Sequence, residues 1–252
     1  MKQQWLFVYA HPDDESFAAG GTIAKAHHHG YEVSLICATS GCKGKSGTFQ
    51  FSCREELAKH REEELRKACS FLGVHNLILY RHKDGFLMDL DSDQLARQIC
   101  ETLLELKPQV IISFPPDGVT GHPDHIAISR ATEKAVILAE AQYPPGACPQ
   151  FYYNSIPNYY DHCPDSGPKN RCCITSKIDI SPYRTMKGQA LQAYQSQVYS
   201  VNRAYPGVMQ GDYSVIGNFE YYTLARANGQ TIEPSTAKDL EHLPTMELGY
   251  KL

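Results

Sequence analysis

Two short stretches of this chain gather side chains able to hold a metal ion and move a proton. The first, Ala10-His11-Pro12-Asp13-Asp14-Glu15, follows directly on the apolar run Trp5-Leu6-Phe7-Val8-Tyr9. The second, Gly121-His122-Pro123-Asp124-His125, comes shortly after Val110-Ile111-Ile112-Ser113-Phe114. A catalytic zinc takes three ligands from histidine and carboxylate and keeps a position open for water. His11 and Asp14 share one tight turn and can face one ion, and His125 completes a set of two histidines and one carboxylate. The same set suits Fe(II), so the residue types leave zinc and iron both open. An ion held this way polarises a carbonyl and lowers the pKa of its water. Asp13, beside a ligand but free of the ion, is then placed to take the water's proton. His122, on the opposite wall, is expected to stabilise the oxyanion and protonate a leaving amine, with Asp124 keeping its ring oriented and cationic. This is the chemistry of a metal-dependent hydrolase.

Each motif also has a plainer reading. An Asp after His-Pro can simply cap the next helix, and Asp124 suits the first turn of a helix through its charge. Two such clusters at two strand ends argue against coincidence, because one fold can bring both to one crevice. The triplet His27-His28-His29 looks like a metal tract but sits beside Gly30 at a helix end, where positive charge is favourable. Arg54, Arg61 and Glu62-Glu63-Glu64 read most simply as a solvated helix face with i,i+4 pairs. Ser16 lacks the G-x-S-x-G context of a nucleophile. Glu15 reads as a supporting or capping group.

The elements that must position these residues alternate between strand and helix. Trp5–Tyr9, Glu32–Ala38, Asn76–Tyr80 and Val110–Phe114 are short and apolar. Between and after them, Phe17–His29, Arg54–Leu72, Ser92–Lys107 and His122–Glu140 carry helical spacing. Thr39–Phe51 and Tyr143–Arg171 lack periodicity and read as loops over the crevice. Further on, Ile174–Ile180 and Gly217–Leu224 resemble strands and Tyr183–Gln197 a helix. The pattern predicts an α/β fold: a Rossmann-like, mostly parallel sheet with helices on both faces and a loop-rich C-terminal third. In such sheets ligands bind beyond the carboxyl ends of the strands, where the strand order reverses. The first and fourth strands would flank that point. With no repeat and no linker, residues 1–252 read as a single domain.

Composition narrows the partners. The chain has 252 residues, 42% of them hydrophobic, enough for one sizeable core. A net charge of -4 gives no basic field for nucleic acid, so a small molecule is the expected partner. The short apolar segment after Met1 meets His11 and Asp13 too early for a signal peptide, and no apolar run is long enough for a membrane span. Nine cysteines at irregular spacing, with Cys163, Cys172 and Cys173 close together but no C-x-x-C pair, point to reduced thiols and a cytoplasmic location. A homo-oligomer is left open.

The two His/Asp motifs together resemble those of the PIG-L/LmbE-like zinc-dependent N-deacetylases. The likeness extends to Gly20-Gly21-Thr22-Ile23-Ala24, to Arg61-Glu62-Glu63-Glu64-Leu65, to Asp84, and to Lys187 with Ser196-Gln197. It is good over roughly the first 140 residues and patchy beyond. The resemblance implies removal of an acetyl group from an N-acetylglucosamine-type conjugate. His11, Asp14 and His125 would be the zinc ligands, Asp13 the base, and His122 the oxyanion stabiliser and acid with Asp124 as its partner. It also implies that Arg61 and Asp84 contact the sugar or its substituent. Two positions depart from the family pattern: Tyr194 stands where a histidine is common, and Thr120 where some members carry tyrosine. Both are expected to border the substrate. The rival readings are an amidase acting on a larger amide of a sugar conjugate, and a carbohydrate-binding module without turnover.

Overall fold

The computed structural model describes residues 3–144, 146–155, 174–233 and 243–246; Cys163, Cys172 and Cys173 lie outside them. A central sheet runs in the order β3-β2-β1-β4-β5-β7-β6, with β8 on β7. Its parallel half comprises β1 (Gln4–Tyr9), β2 (Glu32–Thr39), β3 (Asn76–His82), β4 (Val110–Ser113) and β5 (Gln150–Ser155). The late strands β6 (Ser176–Asp179), β7 (Phe219–Ala227) and β8 (Gln230–Thr231) join antiparallel. Leu6, Phe7, Val8, Ile111 and Ile112 are wholly buried, as strands covered on both faces must be. The Rossmann-like expectation holds, and the order reverses between β1 and β4, where ligands of such sheets bind.

One expectation is corrected here. Gln150–Ser155, within the segment read as a loop, is a buried strand beside β4. Its sequence, Gln-Phe-Tyr-Tyr-Asn-Ser, is aromatic and β-compatible, but the Pro- and Gly-rich flank masks its short period.

The helices α1 (Asp14–His28), α2 (Arg54–Leu72), α3 (Ser92–Leu106) and α4 (Pro123–Glu140) follow the strands. Tyr183–Gln197 is not one helix: α5 (Arg184–Ala193) and α6 (Val198–Ala204) flank a 3-10 turn at Gln195–Gln197. No helix of the described residues is long and apolar enough to cross a membrane. The His27–His29 triplet lies at the end of α1, where Gly30 takes φ +81°.

Helix α1 breaks at Ala19 (φ -145°, ψ 15°). A continuous helix would pair the Gly21 N–H with the Phe17 carbonyl. Instead, the N–H groups of Gly21 and Thr22 donate to Glu220 on β7 at 3.0 and 2.8 Å. Lys187 Nζ on α5 donates to the Phe17 carbonyl at 3.0 Å and to Glu220 at 2.7 Å. A buried ion pair thus caps both sides of the break. Gly21 is required because a Cβ there would lie 2.6 Å from Ile180. The Gly-Gly pair and distant Lys187 therefore answer one packing problem. Lys187→Met should strand the Glu220 charge and cost ~3–5 kcal/mol in urea unfolding, with part recovered by adding Glu220→Gln. An unchanged unfolding midpoint for Lys187→Met would contradict this role.

Candidate metal centre

The backbone leaves β1 at Ala10 and turns sharply, with Asp13 at φ 105°, a region costly for any residue but glycine. Asp13 occupies the N-cap position of α1 yet makes no side-chain cap bond, so helix capping does not explain it. The turn is fixed from several sides. The His11 N–H donates to Asp14 Oδ2 at 2.8 Å, and the Asp13 N–H to Glu15 Oε2 at 3.2 Å. Arg61 on α2 donates to the carbonyls of Pro12 (2.5 Å) and Gly41 (2.7 Å) and to Asp13 Oδ2 (3.2 Å).

Across the crevice, His122 caps α4, which carries His125 inward. His11 Nδ1 lies 3.2 Å from His125 Nε2 and 3.5 Å from Asp14 Oδ2, and His125 Nε2 lies 3.3 Å from Asp14 Oδ1. Ligands held ~2.0–2.1 Å from a tetrahedral ion are themselves ~3.3 Å apart, so these donors have the spacing that a divalent ion needs. His125 Nδ1 faces the Gly118 carbonyl at 3.1 Å and Thr120 Oγ1 at 3.3 Å. A proton on Nδ1 satisfies that carbonyl and leaves the Nε2 lone pair toward Asp14, the usual way a ligating histidine is oriented. Its ring stacks on Phe114 at 4.1 Å. Two further sets, His11/His122/His125 and His11/Asp84/Asp124, also bring ligand atoms within 4.8 Å of one another.

The electrostatics favour positive charge at the centre. Burial pushes the Asp14 carboxyl up, but His125 and His11 outweigh it and hold it well below the usual carboxylate range. Burial disfavours a charged His11, yet the carboxylates of Asp124, Asp14 and Asp84 raise its pKa well above the ordinary value. Asp13 behaves oppositely. Burial, helped by the Asp14 charge and opposed by Arg61, pushes it up to about 7. Adjacent carboxylates are therefore driven apart, one to a permanent anion and one to a proton acceptor near neutrality.

Several expected contacts fall elsewhere. The Asp124 carboxylate does not orient the His122 ring. It accepts from the N–H groups of Gly85 (2.7 Å) and Leu87 (3.0 Å) and lies 3.2 Å from His11 Nε2. As the cap of α4, His122 instead accepts the Asp124 N–H through Nδ1 at 3.1 Å, so that nitrogen carries no proton. Burial and the neighbouring His11 and His125 lower its pKa, which favours the neutral ring, with Nε2 as the nitrogen left to carry its proton. Asp84, expected at the sugar, faces His11 Nε2 at 3.2 Å and accepts the Lys43 N–H at 2.5 Å. Arg61, also expected there, is 3% exposed and bound to the first motif. Its solvated reading fails too.

Tyr194 does not border the crevice. It is wholly buried, and its hydroxyl donates to Glu15 Oε1 at 2.6 Å. Ser196 donates to Glu64 from its N–H (2.7 Å) and hydroxyl (2.5 Å), and Gln197 Nε2 to the Lys45 carbonyl (2.7 Å). The late residues that carry the family likeness thus tie the back of the site together. Thr120 does border it: besides meeting His125, its Oγ1 accepts the His122 N–H at 3.3 Å. Glu220 was not singled out in the sequence, since a lone acid in a late strand carries no local signal.

Residues 6–136 match the family model described as PIG-L, GlcNAc-PI de-N-acetylase. The chain belongs to the PIG-L family. A probable N-acetyl-alpha-D-glucosaminyl L-malate deacetylase 2 of Bacillus anthracis is 35% identical over 193 residues, covering 76% of this chain and 80% of that one. A 1D-myo-inositol 2-acetamido-2-deoxy-alpha-D-glucopyranoside deacetylase 2 of Catenulispora acidiphila is 29% identical, covering 94% of each chain. Among solved structures, the 4-carboxy-2-hydroxymuconate hydratase GalB of Pseudomonas putida KT2440 superposes with TM-score 0.62 at 22% identity, over 94% of this chain and 99% of that one. That likeness establishes the fold alone.

If Glu15 holds the Asp13 backbone and Tyr194 holds Glu15, Tyr194→Phe should lower turnover by ~10-fold while metal content stays at wild-type level. Steady-state kinetics beside elemental analysis checks this; equal kcat in the two proteins would show that the hydroxyl only fills the core.

Proposed function

We propose that this protein is a metal-dependent hydrolase that removes the acetyl group from an N-acetylglucosamine-type conjugate. The observation that carries the proposal is the approach of His11 Nδ1, Asp14 and His125 Nε2 to one another beside an Asp13 of raised pKa. The two deacetylase relatives support the amide as target: their names share an acetylated glucosamine and differ in its partner, malate or inositol.

In this reading His11, Asp14 and His125 hold the ion, zinc first and Fe(II) second. Such an ion, when bound, polarises the amide carbonyl and acidifies water. Asp13 accepts a proton from the attacking water, and Arg61 keeps its carboxylate aimed. His122, protonated at Nε2, donates a hydrogen bond to the carbonyl oxygen as negative charge develops there. Asp13 then returns its proton to the amine nitrogen as the C–N bond breaks. Acetate and a free amine leave. Asp84 and Asp124 act through His11, whose Nε2 they hold, so that Nδ1 faces the centre.

Purified protein incubated with zinc and a panel of N-acetylglucosamine conjugates should release acetate and amine in equal amounts, and chelation should abolish this. Full activity after exhaustive chelation would overturn the reading. Asp13→Asn should retain metal and slow turnover by ~100-fold or more. Asp14→Asn should lose metal, having lost a charged ligand. Opposite behaviour of the two variants would reverse their assignments.

A further inference from the structure

Behind the metal centre, one row of the sheet carries polar atoms that neither the fold nor the chemistry above uses. Strands β1, β4 and β5 pair in register at Val8, Ser113 and Tyr153. One residue further on, Tyr9, Phe114 and Asn154 stand side by side, and Asn154 is opposite Tyr222 on β7. Neighbours in register point to the same face of a sheet, so these side chains share one face. The Tyr9 ring meets the edge of Phe114 at 4.9 Å, and Phe114 stacks on His125. The Tyr222 hydroxyl donates to Thr22 Oγ1 at 2.7 Å, which puts α1 over this face.

Tyr9 and Asn154 are wholly buried, and among the described residues the Tyr9 hydroxyl and both amide atoms of Asn154 have no hydrogen-bond partner. Interchanging the amide nitrogen and oxygen leaves both unpaired all the same. Native interiors leave very few polar atoms in this state, because each forfeits its bonds to water with nothing in return. The row itself narrows what could answer them. Asn154 needs a donor at one end and an acceptor at the other. A bare cation would leave the amide N–H groups unanswered. An anion would meet the charges of Glu220, Asp14 and Glu15, which, after burial itself, push the Tyr9 hydroxyl's pKa well above its ordinary value. Atoms without exposure are closed to substrate. A small neutral molecule that both donates and accepts is left, and water is that molecule.

We infer that a cluster of internal water lies between Tyr9, Asn154 and α1, bonded to the Tyr9 hydroxyl and to both ends of the Asn154 amide. Buried waters serve polar groups of this kind. The amide nitrogen and oxygen point apart, so more than one molecule is needed. One donates to Oδ1, another accepts from Nδ2, and the Tyr9 hydroxyl closes the chain. On the β7 side the cluster is bordered by the Tyr222 hydroxyl, which Thr22 and Glu220 already engage. The cluster touches no reacting atom. It holds the Tyr9 ring, which backs Phe114, the ring on which His125 rests.

A high-resolution crystal structure of the wild-type protein tests this first. Ordered solvent density should lie about 2.7–3.2 Å from the Tyr9 hydroxyl and from both amide atoms of Asn154. Closed apolar packing there, or a protein group bonded to Asn154 in its place, would overturn the inference. Stability gives an independent sign. Removing a hydroxyl that is truly orphaned relieves a penalty, whereas removing one held by water loses a bond. Tyr9→Phe should therefore lower the urea midpoint, and an equal or higher midpoint would contradict the cluster. If water joins the two side chains, Tyr9→Phe combined with Asn154→Leu should lose less than the sum of the single losses. Strict additivity would count against it. Water relaxation dispersion in solution gives a last arm: the wild type should hold more long-lived internal water than the double variant, and equal amounts would refute the site.

Discussion

Burying carboxylate charge at the end of β1 governs much of the surrounding architecture. Asp14, Asp84 and Asp124 crowd around the His11 imidazole, Asp13 and Glu15 lie on the same turn, and isolated ions of this kind are costly to remove from water. Each is answered differently. Asp124 takes two backbone N–H groups, Asp84 takes one, Glu15 takes two hydroxyls and the Asp13 N–H, and Asp13 takes Arg61. Asp14 alone is met chiefly by the two histidines. It is there that a divalent cation has the most to neutralise. The same imbalance separates the proton affinities of Asp13 and Asp14, so the cost of burial becomes the source of the acid–base chemistry.

The C-terminal third makes this arrangement durable. Helix α5 and the turn after it send Lys187 to the break in α1, Tyr194 to Glu15 and Ser196 to Glu64. Both helices that lead away from the site, α1 and α2, are thereby gripped from behind. The strained turn at Asp13 persists because Arg61, Glu15 and the Pro12 carbonyl contact over-determine it. The loop after β2 is braced in the same way, by Arg61 at the Gly41 carbonyl, Asp84 at the Lys43 N–H and Gln197 at the Lys45 carbonyl.

Much of this was legible in the sequence, for local reasons. Apolar runs and helical spacing marked the first four strands and helices, and the placement of His11, Asp14 and His125 at the reversal of strand order followed from parallel-sheet topology. Residues whose role depends on distant partners were not legible. Glu220 caps a helix break about 200 positions away, and Arg61 looks like any arginine on a charged helix until Pro12 and Asp13 are folded against it. Asp124 was assigned to its sequence neighbour His122, but a first-turn residue of a helix points across the crevice, and His11 lies there. The strand at Gln150–Ser155 was hidden by its flanks rather than by its own composition.

The central claim is that His11 Nδ1, His125 Nε2 and Asp14 surround one ion, and two other donor sets lie close enough to compete with them. Anomalous diffraction at the metal edge, from crystals of zinc-loaded protein, tests it most directly. The account predicts one peak ~2.0–2.2 Å from those three groups, with Asp13 outside bonding distance. A peak held instead by His11, Asp84 and Asp124, or by His11, His122 and His125 with Asp14 unbound, would contradict it.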